Sequence, residues 1–258
     1  MGILNYTEDS FYSGSRFTDD GAVLKRTEQI LTEGGTIIDL GAVSTRPGAV
    51  ALNEEMEMER IKHIVNLIIK AFPEALISVD TWRASVANMA VGEGAAMIND
   101  ISGSTFDEEM ATTMGKLQVP YCMMHTSAPP EIMQQHTTYS NIIADLLQFF
   151  GKQIEKFTHS GVADIIIDPG FGFGKTLEDN YHLLQNLNAF QILELPILVG
   201  LSRKSMIYKL LNTSPEESLN GTTALHIVAL QNGASILRVH DVAAAREVLT
   251  IFNQLHHK

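Results

Sequence analysis

The chain is poor in several things, and each absence narrows what it can be. It has one cysteine, Cys122, in 258 residues. No intrachain disulfide can form and no multi-cysteine metal site can assemble. Basic residues are few: 18 Lys and Arg stand against 30 Asp and Glu, a formal net charge of −12. General nucleic-acid binding leaves a basic footprint, which is missing here. No apolar run reaches the ~18 residues of a membrane span. The opening stretch, Met1 to Asn5, has neither a basic segment nor a long apolar one, so no signal peptide is expected and the cytoplasm is the default compartment. No low-complexity linker or composition break divides the chain, and one domain over 1–258 is expected.

What is present begins with Ile165-Ile166-Ile167-Asp168-Pro169-Gly170-Phe171-Gly172-Phe173-Gly174-Lys175. An apolar β-branched run without polar alternation reads as a strand covered on both faces, the parallel-sheet type. Pro169 ends it, having no N–H for the ladder. Asp168 is thus expected at the C-terminal end of a buried strand, facing a glycine-rich turn. The segment Gly170 to Thr176 imitates a phosphate-binding P-loop, but Pro169 stands where that motif needs glycine, and the match is rejected.

Other strands read the same way: Gly2 to Asn5, Thr36 to Asp39, Leu76 to Asp80, Ala96 to Asp100, Val119 to Met124, Pro196 to Gly200 and Ser235 to His240. Helices are expected between them, over about 20–33, 53–71, 83–92, 107–116, 139–160, 178–187, from Ser214-Pro215 through the 220s, and from about Asp241 onward. Glu54, Glu55, Glu57 and Glu59 read as a solvated acidic start to the second helix, suited to its positive end. Long loops over 6–20 and 40–48 carry few apolar anchors and are expected to be mobile and functional. Alternating β and α implies a parallel sheet. Eight units in ~250 residues favour an α/β fold of the closed (β/α)8 (TIM) barrel kind, with its site at the C-terminal mouth.

Polar residues at or just past the strand ends are Asn5, Asp39, Asp80, Asn99, His125, Asp168, Lys204, Arg238 and His240. Asp39 and Asp100 read as orienting groups. Asp80, Asn99 and Asp168 are rich in acceptors and suit a flat ring edge bearing several N–H donors. Ser44, Thr45, Arg46, Asn5, Arg238 and His240 suit phosphate oxygens, for which arginine supplies forked donors. An asparagine oxygen near diphosphate can complete the shell of Mg²⁺. The pattern describes a planar, donor-rich heterocycle joined to phosphate or diphosphate.

In order along the chain, Gly2-Ile3-Leu4-Asn5 with Thr7, Asp9-Ser10-Phe11, Asp39 with Ser44-Thr45-Arg46-Pro47-Gly48, Ser78-Val79-Asp80-Thr81, Ile98-Asn99-Asp100, Met124-His125, Asp168 to Lys175, Ser202-Arg203-Lys204-Ser205 and Arg238-Val239-His240-Asp241 resemble the dihydropteroate synthase family of the folate pathway. The resemblance implies a transferase acting on a pterin diphosphate and p-aminobenzoate, the latter's site being where sulfonamides bind. It implies a pterin pocket of Asp80, Asn99, Asp168, Lys204 and Arg238, with Asp80, Asp168, Lys204 and Arg238 catalytic. It implies a diphosphate site of Asn5, Thr45, Arg46, Arg238 and His240, with Mg²⁺ at Asn5. It implies a p-aminobenzoate site of Pro47, Phe173, Lys204 and Ser205, closed by the two long loops, and a homodimer. Glu8 stands where the family has proline, and Leu40-Gly41-Ala42-Val43 replaces its commoner Gly-Gly-Glu run. A non-catalytic pterin carrier and a corrinoid-linked methyltransferase pterin domain would share Asp80, Asn99 and Asp168. Neither needs the phosphate-binding set.

Overall fold

The structure, a computed structural model, describes residues 1–5, 16–41 and 53–256. Eight strands alternate with helices: β1 (Gly2–Asn5), α1 (Arg16–Thr32), β2 (Ile37–Gly41), α2 (Glu54–Ala71), β3 (Leu76–Asp80), α3 (Ala84–Gly92), β4 (Met97–Asp100), α4 (Met110–Leu117), β5 (Tyr121–Met124), α5 (Ile142–His159), β6 (Ile165–Asp168), α6 (Leu177–Gln185), β7 (Leu198–Val199), α7 (Ser205–Tyr208), α8 (Leu219–Gln231), β8 (Ile236–Leu237) and α9 (Val242–His256). β1 to β6 form one parallel sheet in chain order, and β7 pairs with β8. The two pieces join at Ile167–Ile197 and at Gly2–Val239, which closes the barrel. The Ile3 N–H donates to the Val239 carbonyl (2.9 Å), so the first and last strands share one ladder. Gly2 lets α1 lie against β1: a Cβ there would meet Ile30 Cγ2 at 2.6 Å.

Period-2 alternation sorts every strand. Leu4, Ile38, Leu40, Ile77, Val79, Ile98, Tyr121, Met123, Ile165, Ile167, Ile197, Val199, Leu237 and Val239 point outward into the helix layer. Met97, Cys122, Ile166 and Leu198 fill the lower barrel interior, with Met1, Ile37 and Ile236 against them. Cys122 is therefore a buried packing residue, its thiol pushed well up by burial. The next inward layer toward the C-terminal end is polar.

Several expected boundaries shift. β2 runs two residues further than expected, because Leu40 is fully buried against the helices and Gly41 pairs with Asn5 and Asp80. Ser214 to Glu217 does not start a helix. Arg203 Nη1 takes the carbonyls of Pro215 (2.8 Å) and Glu216 (2.7 Å), which holds a turn there, and α8 begins at Leu219. The one-turn α7 and a 3-10 segment at Leu187–Leu193 had no separate sequence signal. Glu57 is not part of a solvated face. It is 1% exposed, accepts from Thr81 Oγ1 (2.7 Å) and pairs with Arg83, tying α2 to the turn after β3. No helix among the described residues is long and apolar enough to cross a membrane.

One buried polar group sits outside this order. His226 on α8 is 2% exposed, and neither ring nitrogen has a hydrogen-bond partner among the described residues. Burial pushes its imidazole down to about 4. The unfolded state takes up that proton near pH 6.5 and the folded state only near 4, so stability from this site is complete above pH 6.5 and falls as pH drops toward 4. The H226L variant is expected to lose that contribution to acid lability, about 3 kcal/mol at most. Urea unfolding at pH 5 and pH 7.5 checks it: the difference in ΔG between the two pH values should shrink in the variant, and an unchanged difference would mean His226 is not the group responsible.

Candidate active site

The polar layer lies at the C-terminal mouth. Asp80 and Asp168 are the last residues of β3 and β6, Asn5 is the last of β1, and Asn99 is the penultimate residue of β4. All sit on inward positions of their strands, and so do Arg238 and His240 beyond β8.

At its centre is a network with Arg238 as its hub. Arg238 Nε donates to Asp39 Oδ2 (2.6 Å) and Nη2 to Asp80 Oδ2 (3.1 Å). Asn99 Nδ2 lies 3.3 and 3.4 Å from the two Asp39 oxygens. Asn99 thus spends its donor end on Asp39, and its carbonyl end is left for a ligand. Asp39 is fully buried and lies mid-strand, one layer below the mouth rather than at a strand end. It holds Arg238 and Asn99 in place, the orienting role that its position suggests. The two aspartates secure the Arg238 guanidinium and keep its proton more tightly bound than in water.

Burial pushes the Asp80 carboxyl up to about 7, with Arg238 opposing and Asp39, Asp100 and Asp168 adding to the rise. Burial also raises Asp168, against the pull of Lys204, the Gly170 N–H and Arg238. Lys204 is pushed down to about 8 by burial, with Asp168 opposing. Its Nζ donates to the Phe171 carbonyl and sits 4.6 Å from the centre of the Phe173 ring. The mouth therefore has two carboxylates, one amide oxygen and two cations in a partly dry pocket, with an aromatic wall beside Lys204. Ser205 opens α7 immediately after Lys204 and is half-buried.

His240 is neutral at pH 7: burial pushes its ring down to about 4, and Arg238 adds to the fall. Ser202 Oγ lies 3.0 Å from its Nδ1 and accepts from its backbone N–H (3.1 Å). It can offer a phosphate a hydrogen bond rather than a charge. Asn5 Oδ1 has no hydrogen-bond partner among the described residues. Thr45, Arg46, Pro47 and Glu8 lie outside the described residues, as do 6–15 and 42–48 of the two expected loops, while 16–20 of the first belong to α1 rather than to a loop.

Two strand-end residues face away from the mouth. Asp100 points to the helix layer, where it accepts from Ser102 N–H and Oγ (both 2.7 Å), Ser104 N–H (2.9 Å) and Tyr121 Oη (2.6 Å). His125 follows inward-facing Met124 and so turns outward, its ring 4.9 Å from that of Phe149 and 6.0 Å from that of Tyr139. It does not join the convergent set. Arg203 is taken up by Asp241 through two 2.8 Å contacts. Asn180, which the sequence did not single out, accepts from the Gly172 N–H (2.6 Å) and donates to the carbonyls of Lys175 (3.3 Å) and Thr176 (2.6 Å). It pins the Gly-Phe turn from α6. Only the polar side chain one helical turn into α6 hinted at it.

A closed barrel with acceptor side chains and two cations at its C-terminal mouth defines a class of protein, and the pterin binding enzyme family profile matches residues 1–240. The dihydropteroate synthase of Haemophilus influenzae is 41% identical over 254 residues, covering 98% of this chain and 92% of that protein. That of Escherichia coli is 40% identical over 253 residues, covering 97% and 89%. The Yersinia pestis dihydropteroate synthase, solved with a sulfonamide drug, superposes with a TM-score of 0.90 at 38% identity, covering 98% and 92%. The Thermus thermophilus enzyme, solved with 4-aminobenzoate, gives 0.88 at 36%, covering 99% and 93%. The chain belongs to the dihydropteroate synthases, which are transferases.

Proposed function

We propose that this chain joins the methylene carbon of 6-hydroxymethyl-7,8-dihydropterin diphosphate to the amine of p-aminobenzoate, giving 7,8-dihydropteroate and diphosphate. The observation that carries the reading is the mouth itself: Asp80, Asn99 and Asp168 present acceptors to one pocket, beside the cations Arg238 and Lys204. The pterin's N–H edge donates to Asp80, Asp168 and the Asn99 carbonyl. Lys204 has protons left for a ring carbonyl, and Arg238, held flat by Asp39 and Asp80, stacks on the ring.

The path is dissociative. The carbon–oxygen bond breaks first, and its electron pair leaves with diphosphate. The resulting cation spreads into the pterin, where the carboxylates Asp80 and Asp168 stabilise it. Such stabilisation by fixed charges is usually the largest catalytic term. The amine lone pair of p-aminobenzoate then closes the carbon–nitrogen bond, and the amine loses its proton. Arg46, Thr45, Arg238 and His240 hold the departing diphosphate. Pro47, Phe173, Lys204 and Ser205 wall the p-aminobenzoate.

Among the described residues no cluster of three His, Cys, Asp or Glu could cage a metal. The side-chain oxygen of Asn5, without a partner among the described residues, suits Mg²⁺, which binds through few protein ligands plus water and substrate phosphate. When bound there, Mg²⁺ would neutralise charge on the leaving diphosphate. Exposed Leu210, Leu211, Ile251 and Leu255 are apolar surface that a homodimer would cover. The cytoplasm suits such an enzyme.

Arg46→Ala tests the assignment of the two ligand halves. It is expected to weaken the pterin diphosphate at least tenfold and free 6-hydroxymethylpterin less than twofold, because Arg46 meets only phosphate. Titration calorimetry with each ligand decides it, and equal losses would make Arg46 a structural residue.

A further inference from the structure

The turn after β6 carries a second lysine that the proposed reaction leaves unused. Lys175 is 5% exposed. Its Nζ donates to the carbonyls of Gly170 (2.9 Å), Phe173 (3.0 Å) and His125 (3.3 Å), and lies 3.2 Å from His125 Nδ1. These four groups, three carbonyl oxygens and His125 Nδ1, share at most three Nζ protons, and burial pushes the amine down to about 7. Burial and this neighbouring cation hold His125 neutral, down to about 3. Three carbonyl oxygens from two strand-end turns thus converge on one point. Without the Nζ donor between them they repel. The turns also touch directly: a Cβ at Gly170 (φ +73°) would lie 2.0 Å from the His125 carbonyl oxygen.

The Gly170 peptide links this cluster to the site. The Gly170 carbonyl accepts from Lys175, and the Gly170 N–H donates to Asp168 Oδ1 (2.8 Å). Phe173 is held the same way: its carbonyl is bound by Lys175, while its ring lies under Lys204. Lys204 grips the Phe171 carbonyl from the barrel side. The two lysines brace one four-residue turn from opposite sides.

We propose that Lys175 is a positioning residue for pterin binding, which aims the Asp168 carboxylate through the 170–173 turn without touching any ligand. The inference rests on Asp168 being a pterin ligand. The wild-type enzyme is titrated with 6-hydroxymethylpterin alongside the K175M variant, which keeps the length and apolar stem of the side chain. Calorimetry reads affinity and the fraction of competent protein separately. In K175M a Kd at least tenfold weaker is expected, with a stoichiometry near that of the wild type. A purely structural lysine would instead lower the stoichiometry or the Tm and leave Kd unchanged, which would overturn the proposal. If K175M does not fold, Lys175→Arg keeps the cation but not the ammonium geometry. At least a threefold loss of affinity is then expected, and wild-type Kd would overturn the proposal. Failure of the wild type to bind the pterin would strike at the pterin reading instead.

Discussion

The Asp168→Ala variant is expected to lose pterin binding almost entirely while remaining folded. A carboxylate facing a ring edge can accept two hydrogen bonds, each worth roughly 1.5–3 kcal/mol when a charged group is involved. The combined loss is on the order of a hundredfold or more in Kd. Among the described residues, the Asp168 carboxylate accepts only from the Gly170 N–H, and burial disfavours its charge. Removing it should therefore move Tm by a few degrees at most. Calorimetry with 6-hydroxymethylpterin and a thermal melt read the two effects independently. A retained Kd would remove Asp168 from the site, and a collapsed Tm would make it a structural residue.

Arg238→Met is expected to damage both binding and stability. Asp39 is completely buried, and among the described residues its carboxylate is matched by Arg238 at 2.6 Å and by two longer contacts from Asn99. Asp80 loses its cation as well. Breaking a buried pair on one side is typically destabilising by about 3–5 kcal/mol, because an uncompensated charge remains inside. The double variant R238M/D39N removes the stranded charge and should recover a good part of that loss in urea unfolding. Pterin affinity should stay low in both, since Asp80 and the stacking guanidinium are not restored. Equal stability of the single and double variants would mean that the Arg238–Asp39 pair is not what holds the mouth together.

The contrast between these residues marks how far the sequence could be read. Ile165 to Lys175 announced a strand, its end and its acid because those signals are local: an apolar run, a proline and glycines. The eight-fold alternation followed from the same kind of local evidence, as did the inward carboxylates Asp80 and Asp168. What stayed hidden depends on partners far away in the chain. Asp39 and Arg238 are 199 positions apart, and nothing near either shows that they meet. His125 looked like a mouth residue because it ends a strand, but strand parity turns it outward. The depth of Asp39 was misjudged by two residues of strand, for Leu40 and Gly41 carry no stop signal. Glu57 shared the composition of its exposed neighbours and differed only in facing Thr81 and Arg83. Lys175 falls in the stretch that imitates a P-loop without matching it. Its actual acceptors are backbone carbonyls, which no side-chain pattern reveals.

In the proposed reaction this mouth couples departure of diphosphate to capture of an aromatic amine. Diphosphate release from 6-hydroxymethyl-7,8-dihydropterin diphosphate, measured with and without p-aminobenzoate alongside mass detection of the product, tests it most directly. Release should be slow alone, accelerate on adding p-aminobenzoate, and match dihydropteroate mole for mole. Release at the same rate without the amine, or with no dihydropteroate formed, would contradict it.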